Sequence, residues 1–261
     1  MIGQRNNLST LARWRCNKSI PRFIIIVGDK GSGRLTLTKV ILKMLGITGV
    51  INECGIDAIR NVIECAYTLS SPTMYIFRDA DNMSIAAKNA LLKVIEEPPN
   101  NAYFVMTVQN IDEVLGTIKS RGTILKLEPY SREDLKLYKD DAYLLNYCSN
   151  IGQMQMDITD LKKAEDCVND IIVALQQQSG TKLLKACTQL KSKQSEIDKI
   201  DGLLFMRIFE KKLLSSPTVC TCTSPVHISK CKQEISRNTV NKKASIECML
   251  INLLEDLKYE E

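Results

Sequence analysis

The sequence predicts a parallel α/β sheet of five strands with helices on both faces, followed by an all-helical remainder. Three observations carry that reading. Phe23–Val27 is an apolar run without alternation, as expected of a parallel strand covered on both sides. Up to about residue 128 such runs alternate with segments of helical spacing, the pattern of repeated strand–helix units. Beyond Glu128-Pro129, strand pattern nearly vanishes. Helical spacing then recurs at about 132–149, 160–178, 181–192, 196–214 and 239–258, with Asn150-Ile-Gly152, Gly180 and the Ser-Pro-Thr-rich stretch 215–225 as separators.

In order along the chain, Leu8 and Leu11 set the phase of a short helix after Ile2-Gly-Gln4. The strand Phe23–Val27 runs directly into Gly28-Asp-Lys-Gly-Ser-Gly-Arg-Leu35, a glycine-rich turn placed as a P-loop should be, between strand and helix. A working P-loop needs a lysine to reach the β and γ phosphates and a following hydroxyl to hold magnesium. This chain keeps Gly28 and Gly33 but has Arg34 and Leu35 in those two places. Arginine binds phosphate well. Leucine cannot ligate a hard cation, and Thr36 points roughly 100° away around the helix.

Ile56, Ile59, Val62, Ile63 and Ala66 give a second amphipathic helix, which carries Arg60. Met74–Phe77 is the next strand, and an acidic turn follows it. An ATP site of this architecture wants two successive acids there, one for magnesium and one to activate water. In one register Arg78 takes the first place and Asp79 the second; in the other, Asp79 takes the first and Ala80 the second. Either way one acid is missing. Ser84 caps a helix that Pro98-Pro99 stops, with Ala87, Leu91, Val94 and Ile95 on its apolar face and Asn89, Lys93, Glu96 and Glu97 on the other. Phe104–Thr107 and Thr123–Leu127 are further strands, and Ser131-x-x-Asp134 opens the helical remainder with a variant capping box.

Composition narrows the class. A chain of 261 residues with 44% hydrophobic content has material for two or three domains. The net charge of +5 is compatible with an anionic partner without identifying one. No apolar run approaches the roughly 20 residues that cross a bilayer, and Met1-Ile-Gly-Gln-Arg-Asn lacks a signal-peptide core, so a cytoplasmic protein is expected. The ten cysteines follow no disulfide framework. Cys220, Cys222, His227 and Cys231 form the densest group of soft ligands, but a one-residue spacer is cramped for tetrahedral zinc, and no metal is expected.

The order acidic turn, Asn89-Ala-Leu-Leu-Lys-Val-Ile-Glu-Glu-Pro-Pro99, strand, Thr117-Ile-Lys-Ser-Arg-Gly122 resembles the AAA+ subunits of the bacterial sliding-clamp loader, and within that family its δ′ branch. The likeness is close from Ile2 to Leu127 and loose beyond. It implies a five-stranded AAA+ domain at 1–128 with a degenerate P-loop, a helical lid at 129–159 and a helical collar at 160–261. The four-cysteine zinc module of the family's ATPases is missing from the interval that holds only Cys54 and Cys65. The polar strand end Thr107–Gln109 falls in the family's sensor position.

The resemblance further implies a noncatalytic subunit of the DNA polymerase III clamp loader, an interaction protein and not an ATPase, with no cofactor. Its partners would be the motor ATPase subunits, the δ subunit, the sliding clamp and primed DNA. Ser120-Arg121 would act in trans, Arg121 as an arginine finger for a neighbouring ATP site; the family's Ser-Arg-Cys is Ser-Arg-Gly here, which leaves the packing around Gly122 open. Lys88 and Lys93 are the candidates to face DNA phosphates, against the plainer reading of solvated lysines. The alternatives are an ATP-hydrolysing motor subunit that uses Arg34 in place of lysine, and a stand-alone DNA-binding regulator. For the cysteine group, metal analysis of protein purified without added zinc is expected to find well under one equivalent, with a melting temperature that chelator leaves unchanged.

Overall fold

The computed structural model describes residues 1–191, 202–236 and 241–259. Residues 196–201 and 239–240, the starts of two expected helices, and residue 192, the end of a third, lie outside them. The chain divides into two compact units, Met1–Asp140 with Asn150–Gly152, and Asp141–Ser149 with Gln153–Glu261. The division falls inside the 129–159 span assigned above to a lid.

The first unit is a five-stranded, all-parallel sheet in the order β2-β3-β4-β1-β5, made of β1 (Phe23–Val27), β2 (Thr48–Asn52), β3 (Thr73–Phe77), β4 (Ala102–Val108) and β5 (Thr123–Lys126). The fold class is the one expected. The fifth strand, left unplaced by the sequence reading, is β2, an edge strand whose Val50 and Ile51 are exposed. With so little of it buried, it lacks the apolar signature of its neighbours.

Helices α1 (Arg5–Cys16), α2 (Arg34–Leu45), α3 (Ile56–Tyr67) and α4 (Ile85–Glu96) cover the sheet. Alternate residues of β1 feed two separate cores. Ile24 and Ile26 pack with Leu11, Leu37 and Ile41 of α1 and α2. Phe23 and Ile25 pack with Ile59 and Val62 of α3 and with Leu91 and Val94 of α4. This is the period of two of a strand, with both faces apolar. Ser84 Oγ accepts the Ala87 N–H at 3.2 Å to start α4, and all four residues assigned to its apolar face are buried.

The four-residue α5 (Gly116–Lys119) leads into β5, and α6 (Arg132–Tyr138) opens on the capping box of Ser131 and Asp134. The run expected at 132–149 is not continuous. It breaks at Lys139, which is extended, and restarts at Asp141, whose carboxylate caps α7 (Ala142–Tyr147).

The second unit is helical among the described residues. Beyond α7 and the short α8 (Ile151–Met154) it holds α9 (Ile158–Gln176), α10 (Gly180–Lys191), α11 (Gly202–Leu214), α12 (Ser224–Ile235) and α13 (Lys242–Tyr259). Helix α12 corrects the sequence reading, which took 215–225 as a separator and assigned nothing up to 239. It starts inside that stretch, with a proline in its first turn, where proline costs no hydrogen bond. Glu165 of α9 ties the unit together: it accepts from Tyr143 Oη at 2.5 Å and Tyr147 Oη at 2.9 Å on α7, and pairs with Lys212 Nζ at 2.6 Å on α11.

At the entry to β5, Gly122 lies so close to β1 that a Cβ there would stand 2.7 Å from Ile25 Cδ1 and 2.9 Å from Phe23 Cε1. The space that a cysteine would need is filled by β1 side chains. Gly122→Cys should therefore overpack the site and lower stability by about 1–3 kcal/mol, read as a fall in melting temperature. An unchanged melt would show that β5 can move away from β1 at no cost.

Candidate functional site

The P-loop of residues 28–33 follows β1, and its two positive-φ glycines, Gly31 at +85° and Gly33 at +99°, make the turn that a side chain would strain. Most of its carbonyls are taken up by this chain. The Ser32 N–H and Oγ both donate to the Asp29 carbonyl, at 3.1 and 2.6 Å. Tyr130 Oη donates to the Ser32 carbonyl at 2.8 Å, Asn150 Nδ2 to the Lys30 carbonyl at 3.2 Å, and the Gly152 N–H to the Gly31 carbonyl at 3.0 Å. A Cβ on Gly33 would meet Tyr130 Oη at 3.2 Å and Met1 Cε at 3.3 Å, so both side chains stand against the loop.

The two residues that depart from a working P-loop are occupied elsewhere. Arg34, only 8% exposed, places Nη2 2.8 Å from Asp79 Oδ1. Its other terminal nitrogen, Nη1, is buried without a partner. Leu35 packs against the apolar core under α1 and α2. Arg34, at the P-loop lysine position, and Asp79, the acid left at the expected pair, thus neutralise each other. Arg78 is exposed.

Asp79 adopts a left-handed conformation at φ 49°, and its N–H donates to Thr107 Oγ1 at 3.1 Å, joining the acidic turn to the sensor-position strand end. Beside it Cys54, whose S–H donates to the Arg78 carbonyl at 3.0 Å, has its thiol pushed up to about 11 by burial and then by the charges of Asp79 and Asp81. It is a weak nucleophile.

Asp81 is the residue that sequence reasoning missed. It is buried, and its carboxylate accepts the N–H groups of Gln109 at 2.9 Å and Asn110 at 3.4 Å, so it clasps the end of β4. The signal was an acid two residues past the expected pair, with no role in the nucleotide pattern.

Lys88 is a correction. Expected as a candidate to face DNA, it is buried, with Nζ donating to the Glu113 carbonyl at 2.9 Å and the Asp81 carbonyl at 3.4 Å. Burying an ammonium requires such partners, and these lie under the acidic turn. Lys93 is exposed on α4 with Asn89, Glu96 and Glu97. Arg60 is exposed and reaches Asp57 on its own helix at 3.3 Å.

Ser120 and Arg121 follow α5. Ser120 Oγ donates to the Thr117 carbonyl at 3.0 Å. Arg121 Nη1 donates to the same carbonyl at 2.8 Å, and Nη2 lies 2.6 Å from Glu96 Oε1 at the end of α4.

In the second unit, Cys231 is buried against Met206, its thiol pushed up to about 12 chiefly by burial, whereas Cys220 and Cys222 are exposed and His227 Nε2 lies 2.9 Å from Asp256 Oδ2. Among the described residues no group of three or more His, Cys, Asp or Glu side chains is placed to hold a metal ion. No described helix is long and apolar enough to cross a membrane.

Residues 47–131 match the family described as "DNA polymerase III, delta subunit", a span that runs from β2 through the acidic turn to Ser131. That span is about a third of the chain, a likeness to the clamp-loader family. The δ′ subunit of DNA polymerase III from Escherichia coli is 35% identical over 81 residues, which cover 30% of this chain and 24% of that protein. Replication factor C subunit 3 of Schizosaccharomyces pombe is 24% identical over 63% of this chain. The chain spans about half of that relative's length, 52%. Among solved structures, a γ subunit-related protein of DNA polymerase III from Thermotoga maritima superposes with a TM-score of 0.52 at 20% identity, over 96% of this chain and 99% of that one, a likeness of fold.

Because Arg34 is bound to Asp79 and Leu35 offers no oxygen to magnesium, the isolated chain should bind Mg-ATP more weakly than about 100 µM, near −5.5 kcal/mol. Titration of a fluorescent ATP analogue measures it. Tighter binding would mean that the nucleotide displaces Asp79 from Arg34.

Proposed function

We propose that this chain is a noncatalytic, δ′-type subunit of a bacterial DNA polymerase III clamp loader, cytoplasmic, and built as an AAA+ domain, a lid and a collar. In a ring with motor ATPase subunits and the δ subunit, it helps to open the sliding clamp and place it on primed DNA, with Lys93 toward the DNA. Its own P-loop turns nothing over. Arg121, held in place by Ser120 and its neighbours, serves the ATP site of another subunit.

The observation that carries this reading is the position of Arg121 relative to its own P-loop. β1 and β5 are parallel neighbours, with Ile24 opposite Thr123 and the Leu127 N–H bonded to the Val27 carbonyl. The P-loop leaves the carboxyl end of β1, while Arg121 precedes the amino end of β5. Six residues of strand separate the two levels, roughly 20 Å at about 3.3 Å per residue. A guanidinium at one end of the sheet and a phosphate loop at the other belong to different ATP sites. An arginine supplied from outside stabilises the charge spread over the γ-phosphoryl oxygens, an effect of about 10³ to 10⁵ in GTPases.

The motor-subunit alternative requires Arg34 to leave Asp79 and some other residue to replace the hydroxyl missing at Leu35. The Mg-ATP titration above separates it from the noncatalytic reading.

Arg121→Ala should leave folding and ring assembly intact while silencing one neighbouring site. In a reconstituted ring, clamp-dependent ATP hydrolysis should then fall by a sizeable fraction, and clamp loading should fall further if the sites fire in sequence. Unchanged hydrolysis and loading rates in an assembled Arg121→Ala ring would return Arg121 to the status of an ordinary surface arginine.

A further inference from the structure

We propose that Glu96 is a positioning residue for Arg121, an inference that rests on the reading of Arg121 as a trans-acting finger. Two nitrogens of the guanidinium are already engaged within this chain: Nη1 by the Thr117 carbonyl at 2.8 Å and Ser120 Oγ at 3.4 Å, and Nη2 by Glu96 Oε1 at 2.6 Å. A guanidinium carries five N–H donors in a rigid plane. The Nε–H and one hydrogen on a terminal nitrogen therefore remain to meet an anion without breaking either anchor. The group is 36% exposed, so it is open to a partner while it is held.

Neither of the ordinary reasons for a glutamate accounts for Glu96. It is the last residue of α4, where the helix dipole disfavours an anion. Its ion pair lies at the surface, with Glu96 48% exposed, and pairs of that kind contribute little to stability. What the contact does is fix a long, rotamer-rich side chain. Pro98-Pro99 end α4 close behind Glu96, and the turn of α5 brings Arg121 to the same place. Two motifs separated by a whole strand, Glu-Glu-Pro-Pro and Ser-Arg, therefore form one unit: a cation with its stand. A pre-oriented cation enters the neighbour's transition state without first losing its freedom, and misplacing such a group costs rate more than binding.

The test uses the reconstituted ring with its other ATP sites inactivated, so that turnover reports the site facing Arg121. Four versions of this chain are compared: Glu96→Ala, Glu96→Gln, Arg121→Ala and the double variant Glu96→Ala/Arg121→Ala, with assembly followed by native mass spectrometry. Glu96→Ala is expected to lower kcat about tenfold, with a misplacement ceiling near 100-fold, and to leave KM for ATP unchanged. Glu96→Gln, which keeps an oxygen for Nη2, should recover most of the loss, and the double variant should be no slower than Arg121→Ala alone. If Arg121→Ala slows turnover and Glu96→Ala does not, the inference about Glu96 fails while the reading of Arg121 stands. If Arg121→Ala has no effect, the reading of Arg121 fails first. A faster Glu96→Ala ring would mean that Glu96 withholds the arginine, and a loss that persists in the Arg121→Ala background would make Glu96 a structural residue; either result overturns the proposal.

Discussion

The constraint on which the first unit depends is the burial of β1 on both faces and both edges. Five apolar residues in a row give it no polar side, so it must sit between two layers of helix, with parallel strands on either flank. Once β1 is central and parallel to β5, the ends of the sheet are chemically distinct. One end receives the glycine loop, the acidic turn and the end of β4. The other receives α5 and Arg121. The separation between a phosphate loop and an arginine is thus set by packing before any nucleotide chemistry is considered.

Around the loop, polar groups have been turned inward. Arg34 and Asp79 hold each other, Thr107 bonds to the backbone of Asp79, and Asp81 closes on the backbone of β4. Lys88 supports the same turn from below. A site that must change partners during turnover needs free donors and an open metal position. Here the oxygen that would take a metal is replaced by Leu35, which packs into the core. The strand, glycine turn and helix of a P-loop are kept, with Arg34 and Asp79 bonded to each other.

Much of this was legible in the sequence. The apolar runs, Ser84, Pro98-Pro99 and the Ser131–Asp134 capping box are local signals with local causes, and each appears where it was read. The misses have physical reasons. β2 is an edge strand with little buried surface, so nothing in its composition marks it. α12 opens with Ser-Pro, which reads as a breaker although proline is tolerated in a first turn. Lys88 could have been placed correctly, since at 100° per residue it falls within about 20° of Ile95 on the apolar stripe. Its charge argued for solvent, and only the backbone carbonyls of Asp81 and Glu113, distant in sequence or on a turn, show why the stripe prevails. The pairing of Glu96 with Arg121 is likewise a contact across 25 residues that no local pattern encodes.

The segment Asn150–Gly152 carries a consequence for how the chain comes to its fold. These three residues belong to the first unit, although the stretches on either side of them belong to the second. They bond to Lys30 and Gly31, about 120 residues earlier. Joining ends so far apart in sequence carries a loop-closure cost. During synthesis the sheet has all its strands by residue 126, yet the carbonyls of the glycine loop wait for residues that emerge later. The first unit is therefore complete only after the chain has begun the second, and the geometry of the glycine loop would report whether residues 150–152 have been made.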